Sequence, residues 1–263
     1  MRDNLVNVEH FQRQTYKKHF LNSVHCELGL SGMVASSILA AESSFNDAFK
    51  KLGFVEGGKI FRGQYVLTTP QDKEQTLQHN AEAIGLRFVS QKPWREINIT
   101  SQHIVVSDHA YDGYEPFSER LHHYVSIVMK LLGPEWNINK IGLRKISSII
   151  IENAQSYSEA YAIFNPVLFG SLRTGLAHDG ALKIAEEALV LEKEGKLCLL
   201  RNSIKALDQA NSYEATFDFD LVEQGKLSVE QVFHDALPTL NELHFDLFMW
   251  AVTDELLQIM REE

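Results

Sequence analysis

The sharpest alternation of apolar and polar positions runs from Tyr213 to Leu221. Tyr213, Ala215, Phe217, Phe219 and Leu221 alternate there with Glu214, Thr216, Asp218 and Asp220. A period of two lays one set on a core and the other on a polar face, so the segment reads as a half-buried strand. Beyond a turn expected at Gly225, Val229, Val232, Phe233, Ala236, Leu240, Leu247, Ala251 and Leu257 recur largely at helical steps. They define a helical cover for the sheet, which Pro238 is placed to kink or divide.

The same reading orders the rest of the chain. Residues 1–18 show no sustained period and read as an irregular or short helical lead-in. Phe20, Val24, Cys26 and Leu28 predict a first strand, ended by Ser31-Gly32. Ser36-Ser37 offers a cap for a helix carrying Ile38, Leu39, Phe45, Ala48, Phe49 and Leu52, with Gly53 as its stop. Gly57-Gly58 reads as a turn into a strand from Ile60 to Leu67, followed by strands from Thr76 to Ser90 and Trp94 to Val106 around a hairpin at Pro93. Phe117, Leu121, Tyr124, Val125, Val128, Leu131 and Leu132 form one stripe of a helix from Tyr114 to Leu132, ended by Gly133-Pro134. In the second half, a strand from Ile138 to Ile151 precedes a helical segment from Tyr157 to Leu172 interrupted near Pro166. Strands from Leu182 to Leu191 and Lys196 to Ile204 follow, then the one from Tyr213.

Each half, 1–135 and 136–263, therefore reads strand, helix, three strands, helix. Antiparallel runs with interspersed amphipathic helices predict an α+β fold, a broad antiparallel sheet with its helices on one face, built as one continuous unit. The duplicated order is similar to that of the TATA-binding-protein-like saddle, an analogy of topology that carries no claim about DNA.

Charge narrows the expected partners. Lys and Arg number 25 against 35 Asp and Glu, a net charge of −10, which disfavours nucleic acid and anionic membranes. The residues from Met1 to Asn4 do not resemble a signal peptide, and no run approaches the ~18 apolar residues of a membrane span, so a soluble cytoplasmic protein is expected. Cys26 and Cys198 lie in apolar runs and read as buried thiols. Arg13, Lys17, Lys18 and His19 read as a solvated edge beside the first strand.

The chain carries no phosphate-cradling GxxxxGK[ST], HExxH, GxSxG or paired CxxC. Among the 11 His, the adjacent His122 and His123 point apart on a helix, His103 and His109 are placed to meet near Asp108, and His178-Asp179 sits in a Gly-flanked loop. Structural or surface roles fit each better than metal binding. Asp218 and Asp220 form a sharper pair, on one strand face about 7 Å apart, a spacing that suits acid/base work or a hard metal ion. Glu214 shares that face, which equally suits a solvated surface. Arg144, on the strand Ile141-Gly142-Leu143-Arg144-Lys145-Ile146, is the cation best placed to clamp a carboxylate, whether structural or from a ligand.

Three segments resemble a sporadically distributed bacterial family of conserved hypothetical proteins of about this length. The run from Ile141 to Ile149 resembles that family's "GLRYINRI" segment, Phe217-Asp218-Phe219-Asp220 its "LDID" strand, and the run from Leu240 to Val252 its closing "LHxxxxxxFExxIT" helix. Lys145, Ser147 and Ser148 depart from the pattern. The resemblance singles out Arg144, Asp218, Asp220 and His244 as candidate ligand-binding residues and implies no reaction, metal or cofactor. Its scattered distribution implies an accessory role, such as defence or an antitoxin-like partner.

The expectation is a binding protein that holds a protein partner or a small ligand on its polar sheet face or between its halves, with self-association open. The alternative is a metal-dependent hydrolase or nuclease using Asp218 and Asp220.

Overall fold

A computed structural model describes residues 5–13, 16, 20–68, 76–133, 135–154, 156–170, 183–209 and 211–262. In chain order the elements are β1 (Leu21–Ser31), α1 (Ala35–Ala40), α2 (Glu42–Lys50), β2 (Glu56–Thr68), β3 (Thr76–Gln91), β4 (Trp94–Thr100), β5 (His103–Asp108) and α3 (Tyr114–Leu132). Then come β6 (Asn137–Ile151), α4 (Tyr157–Ala162), β7 (Ile184–Lys193), β8 (Lys196–Ala206), β9 (Tyr213–Leu227), α5 (Val229–Gln231), a π-helical turn (Val232–Ala236), α6 (Leu237–Ala251) and α7 (Asp254–Glu262). The fold is α+β. All nine strands join one antiparallel sheet in the order β2-β3-β4-β5-β1-β6-β9-β8-β7.

Strand alternation explains which face is covered. Val24, Cys26 and Leu28 of β1 stand in register with Ile104 and Val106 of β5 and with Ile141 and Leu143 of β6, and all are buried. Across β9 and β8 the same face continues through Phe217, Phe219, Leu221, Cys198 and Leu200. These residues share one core with Phe45 and Phe49 of α2, Phe117 and Leu121 of α3, and Leu240 and Leu247 of α6. Both cysteines lie in that core as free thiols, as their apolar surroundings predicted. The residues between them on each strand form the open face.

Several boundaries differ from those read in the sequence, each for a local reason. The run from Trp94 to Val106 is two strands, so the first half has four strands after its helices instead of three. The hidden turn has no Gly or Pro; Thr100 Oγ1 makes it by accepting from the Gln102 and His103 amides at 3.2 and 3.1 Å. Gly57-Gly58 lies inside β2, paired with Phe88 and Arg87, and a side chain on Gly57 would collide with Asn46 of α2. Ser36-Ser37 does not cap the first helix, which starts after Val34 and breaks at Ala41 into α1 and α2.

The helix predicted from Tyr157 ends at Ala162, where Phe164 bridges to Val252; Leu172 lies outside the described residues. β9 runs through Gly225 to Leu227, Gly225 taking φ 151° where the ladder to β6 shifts register. Pro238 has no N–H and its ring displaces the carbonyl four residues back, so a π turn precedes it and α6 begins at Leu237. Before that turn, Ser228 and Gln231 cap α5 reciprocally.

Candidate functional site

The open face carries a row of polar side chains across neighbouring strands. Glu96 of β4 stands opposite Ser107 of β5, which faces His25 of β1; His25 faces Arg144 of β6, and Arg144 faces Asp220 of β9. Trp94, His109, Ser23, Asp218 and Arg201 flank this row. The row crosses the β1–β6 ladder, where the halves of the chain meet.

Two arrangements anchor it. On the β9 side, Arg144 donates from Nε and Nη2 to the two carboxylate oxygens of Asp218 at 2.6 and 2.7 Å, and Arg201 Nη1 adds a contact at 3.2 Å. Burial alone would raise the Asp218 pKa; the hydrogen bonds and charge of Arg144, then of Arg201, reverse this and hold it below the usual carboxylate range. Asp220 shares the face, as the alternation predicted, but accepts no hydrogen bond from any described residue. Burial raises its pKa, with Arg144 opposing and the nearby Asp218 charge adding to the rise.

On the β5 side, His25 lies between two hydroxyls, Nδ1 at 2.8 Å from Ser107 Oγ and Nε2 at 2.9 Å from Ser23 Oγ. Burial lowers its pKa, helped by His109 and Arg144, so the ring is neutral near pH 7. The His109 ring meets it edge-on at 5.7 Å and lies 3.8 Å from the Trp94 ring, which is 40% exposed. Beyond it Arg87 grips Glu96 at 2.9 and 2.7 Å, and Asn98 donates to the same carboxylate at 2.7 Å.

Arg144, Asp218 and Asp220 are therefore assembled, whereas His244 is not among them. It sits on α6 on the covered side of the sheet, where its Nε2–H donates to the Leu143 carbonyl at 2.7 Å. The expected meeting of His103, His109 and Asp108 does not occur. Asp108 points to the covered face and binds Arg95 and Arg120, both at 2.9 Å, while His109 stands on the open face. His122 packs on Phe233 at 4.7 Å between ring centroids. His178-Asp179, and Lys17, Lys18 and His19 of the basic edge, lie outside the described residues. Among the described residues no group of three or more His, Cys, Asp and Glu side chains could hold a metal ion.

Sequence reasoning missed Ser23, His25, Ser107 and Trp94, and it paired His109 with His103 and Asp108 where the structure sets it against His25 and Trp94. The signal was present in β1, where Ser23, His25 and Glu27 alternate with buried Val24, Cys26 and Leu28. What was not visible is that β5 and β6 flank this strand. No protein-family model matches the chain, and a search of curated proteins returns no match.

Proposed function

We propose that this chain is a non-enzymatic binding protein that holds a protein partner across the open face of its sheet. The observation that carries this reading is the charge balance of that face. Five of the Lys and Arg on it, including both that border Asp218, are already paired: Arg87 with Glu96, Lys140 with Glu27, Arg144 and Arg201 with Asp218, and Lys205 with Glu214. A surface of matched charges with exposed Trp94, Ile150 and Val190 suits a protein partner, for which Trp is a preferred anchor. Nucleic-acid binding requires cations left free for phosphates, and the net charge of −10 opposes it further.

The saddle-like reading belongs with this proposal. Outward from the centre the first half runs β1, β5, β4, β3, β2 and the second β6, β9, β8, β7, so in each the first strand lies beside the last. That shared order supports an ancestral duplication, and the proposed surface spans the β1–β6 junction in this reading. An accessory role such as defence, with an antitoxin-like partner, is consistent with such a surface.

The metal-dependent alternative uses Asp218 and Asp220. Against it stands the occupancy of Asp218, whose two oxygens already accept three N–H groups.

Native mass spectrometry of gently purified protein tests the first reading. A stoichiometric protein partner lost on Trp94→Ala with Ile150→Ser supports it. A partner retained by that variant, or a homo-oligomer alone, removes the open face as the docking surface. A melting temperature raised by magnesium, manganese or zinc, with the rise abolished by Asp218→Asn, would replace it with the hydrolase reading.

A further inference from the structure

A second polar cluster lies on the covered side of the sheet, one residue along β6 from Arg144. Lys145 is half-buried beneath α6, and its Nζ donates to Asn241 Oδ1 at 2.6 Å, with the Tyr111 ring centroid 5.5 Å away. Arg13, from the segment preceding β1, has its Cζ 5.6 Å from the Tyr114 ring centroid and lies near enough for its charge to act on the Lys145 amine. Neither cation meets a carboxylate among the described residues. Asp246, also on α6, instead takes the Phe11 amide at 2.9 Å and the His10 ring at 3.4 Å.

The excess of donors goes further. Asn241 is 2% exposed; its Oδ1 accepts from Lys145, and its Nδ2, on the same amide, is buried with no acceptor among the described residues. An unpaired buried donor and an unmatched ammonium are both costly, and each is relieved by the same kind of guest.

We infer that Lys145, Arg13 and Asn241 form a binding site for a small carboxylate anion, the acceptor that this donor cluster lacks. A planar carboxylate suits a guanidinium, and its single charge suits a cluster whose amine is only partly protonated. The site lies across the sheet from the proposed partner surface and does not depend on that reading.

Proton coupling makes the inference sharp. Burial, with the charge of Arg13, lowers the free Lys145 amine to about 7, whereas a bound anion favours its protonated form. The neighbouring groups whose pKa is shifted are moved away from the range between about pH 6 and 9. The phenols of Tyr111 and Tyr114 are raised by burial, and His244 is lowered to about 3 by burial and by Lys145.

The test is calorimetric titration of the full chain with acetate as the probe. One acetate should bind per chain, with affinity falling about tenfold per pH unit above pH 7, together with proton uptake. Lys145→Met should abolish binding. If that variant fails to fold, Arg13→Ala, on an exposed residue, should weaken binding about tenfold through its lost charged hydrogen bonds. Asn241→Asp places a carboxylate inside the cluster and should exclude acetate while raising the Lys145 pKa, read by carbon NMR of the lysine. Absence of saturable acetate binding, affinity independent of pH, or full binding by Lys145→Met would each overturn the inference. Tighter binding of inorganic phosphate than of acetate would overturn the carboxylate assignment.

Discussion

Arg144 and Lys145 are adjacent on one strand, and they meet opposite electrostatic environments. Arg144 points to the open face and is clamped by Asp218 with two short hydrogen bonds. Lys145 points to the covered face and finds a neutral amide, an aromatic ring and, among the described residues, no carboxylate. A strand sends neighbours to opposite sides, so a cation's fate depends on what the paired strands and covering helices deliver to its side. On the open face the carboxylate and guanidiniums match each other locally, whereas the covered cluster has cations with no carboxylate among the described residues.

The largest expected effect breaks the matched side. Asp218→Ala removes the partner of two guanidiniums and should cost about 2–3 kcal/mol in urea denaturation, since Arg144 remains partly solvated and the full cost of a broken buried pair is not reached. A change below about 0.5 kcal/mol would show that the clamp does not hold β6 to β9.

Lys145→Met sharpens the contrast with the opposite sign. Removing an unmatched amine should stabilise the fold by about 1–3 kcal/mol at pH 6. The Lys145 amine is lowered from an ordinary 10.5 to about 7, so the unfolded chain binds more protons between those values. Wild-type stability should therefore rise with pH across that window, and the rise should be much reduced in the variant. A wild-type curve flat from pH 7 to 10, measured by chemical denaturation, would show that the amine is not buried as described.

His244 reports on the same side at acid pH. Its pKa falls from 6.5 to about 3, with burial the main cause, so the unfolded chain takes up the proton first on acidification. Stability should decline as pH falls from 6.5 towards 3. His244→Phe should lose about 1–2 kcal/mol at neutral pH, through the unpaired Leu143 carbonyl, but show a shallower acid decline. An unchanged acid slope would assign the decline to other groups.

Arg201→Ala is the smallest test. The Arg201 side chain is 50% exposed and makes one 3.2 Å contact, so a stability change under about 1 kcal/mol is expected. A larger loss would mean that Arg201, and not Arg144, is the main partner of Asp218.

Much of the sheet was legible in the sequence because half-buried strands advertise themselves by alternation. The alternation in β9 placed Asp218 and Asp220 on one face, and β6 presented Arg144 in the same way. The turn between β4 and β5 was hidden because a threonine hydroxyl makes it without Gly or Pro. The His25 half of the open face was hidden for another reason, since Ser107 and Arg144 reach it from strands distant in sequence.

The sequence by itself determined the α+β class, most strand and helix positions, the burial of both cysteines and the faces of β9, because these follow from periodicity and local chemistry. Only the tertiary structure decided that β1 and β6 lie side by side, that Asp218 is held by Arg144 and Arg201 while Asp220 accepts no hydrogen bond from a described residue, and that His244 lies on the other side of the sheet. Strand order and cross-strand register set those outcomes, and they depend on how the whole core packs rather than on any local run of residues.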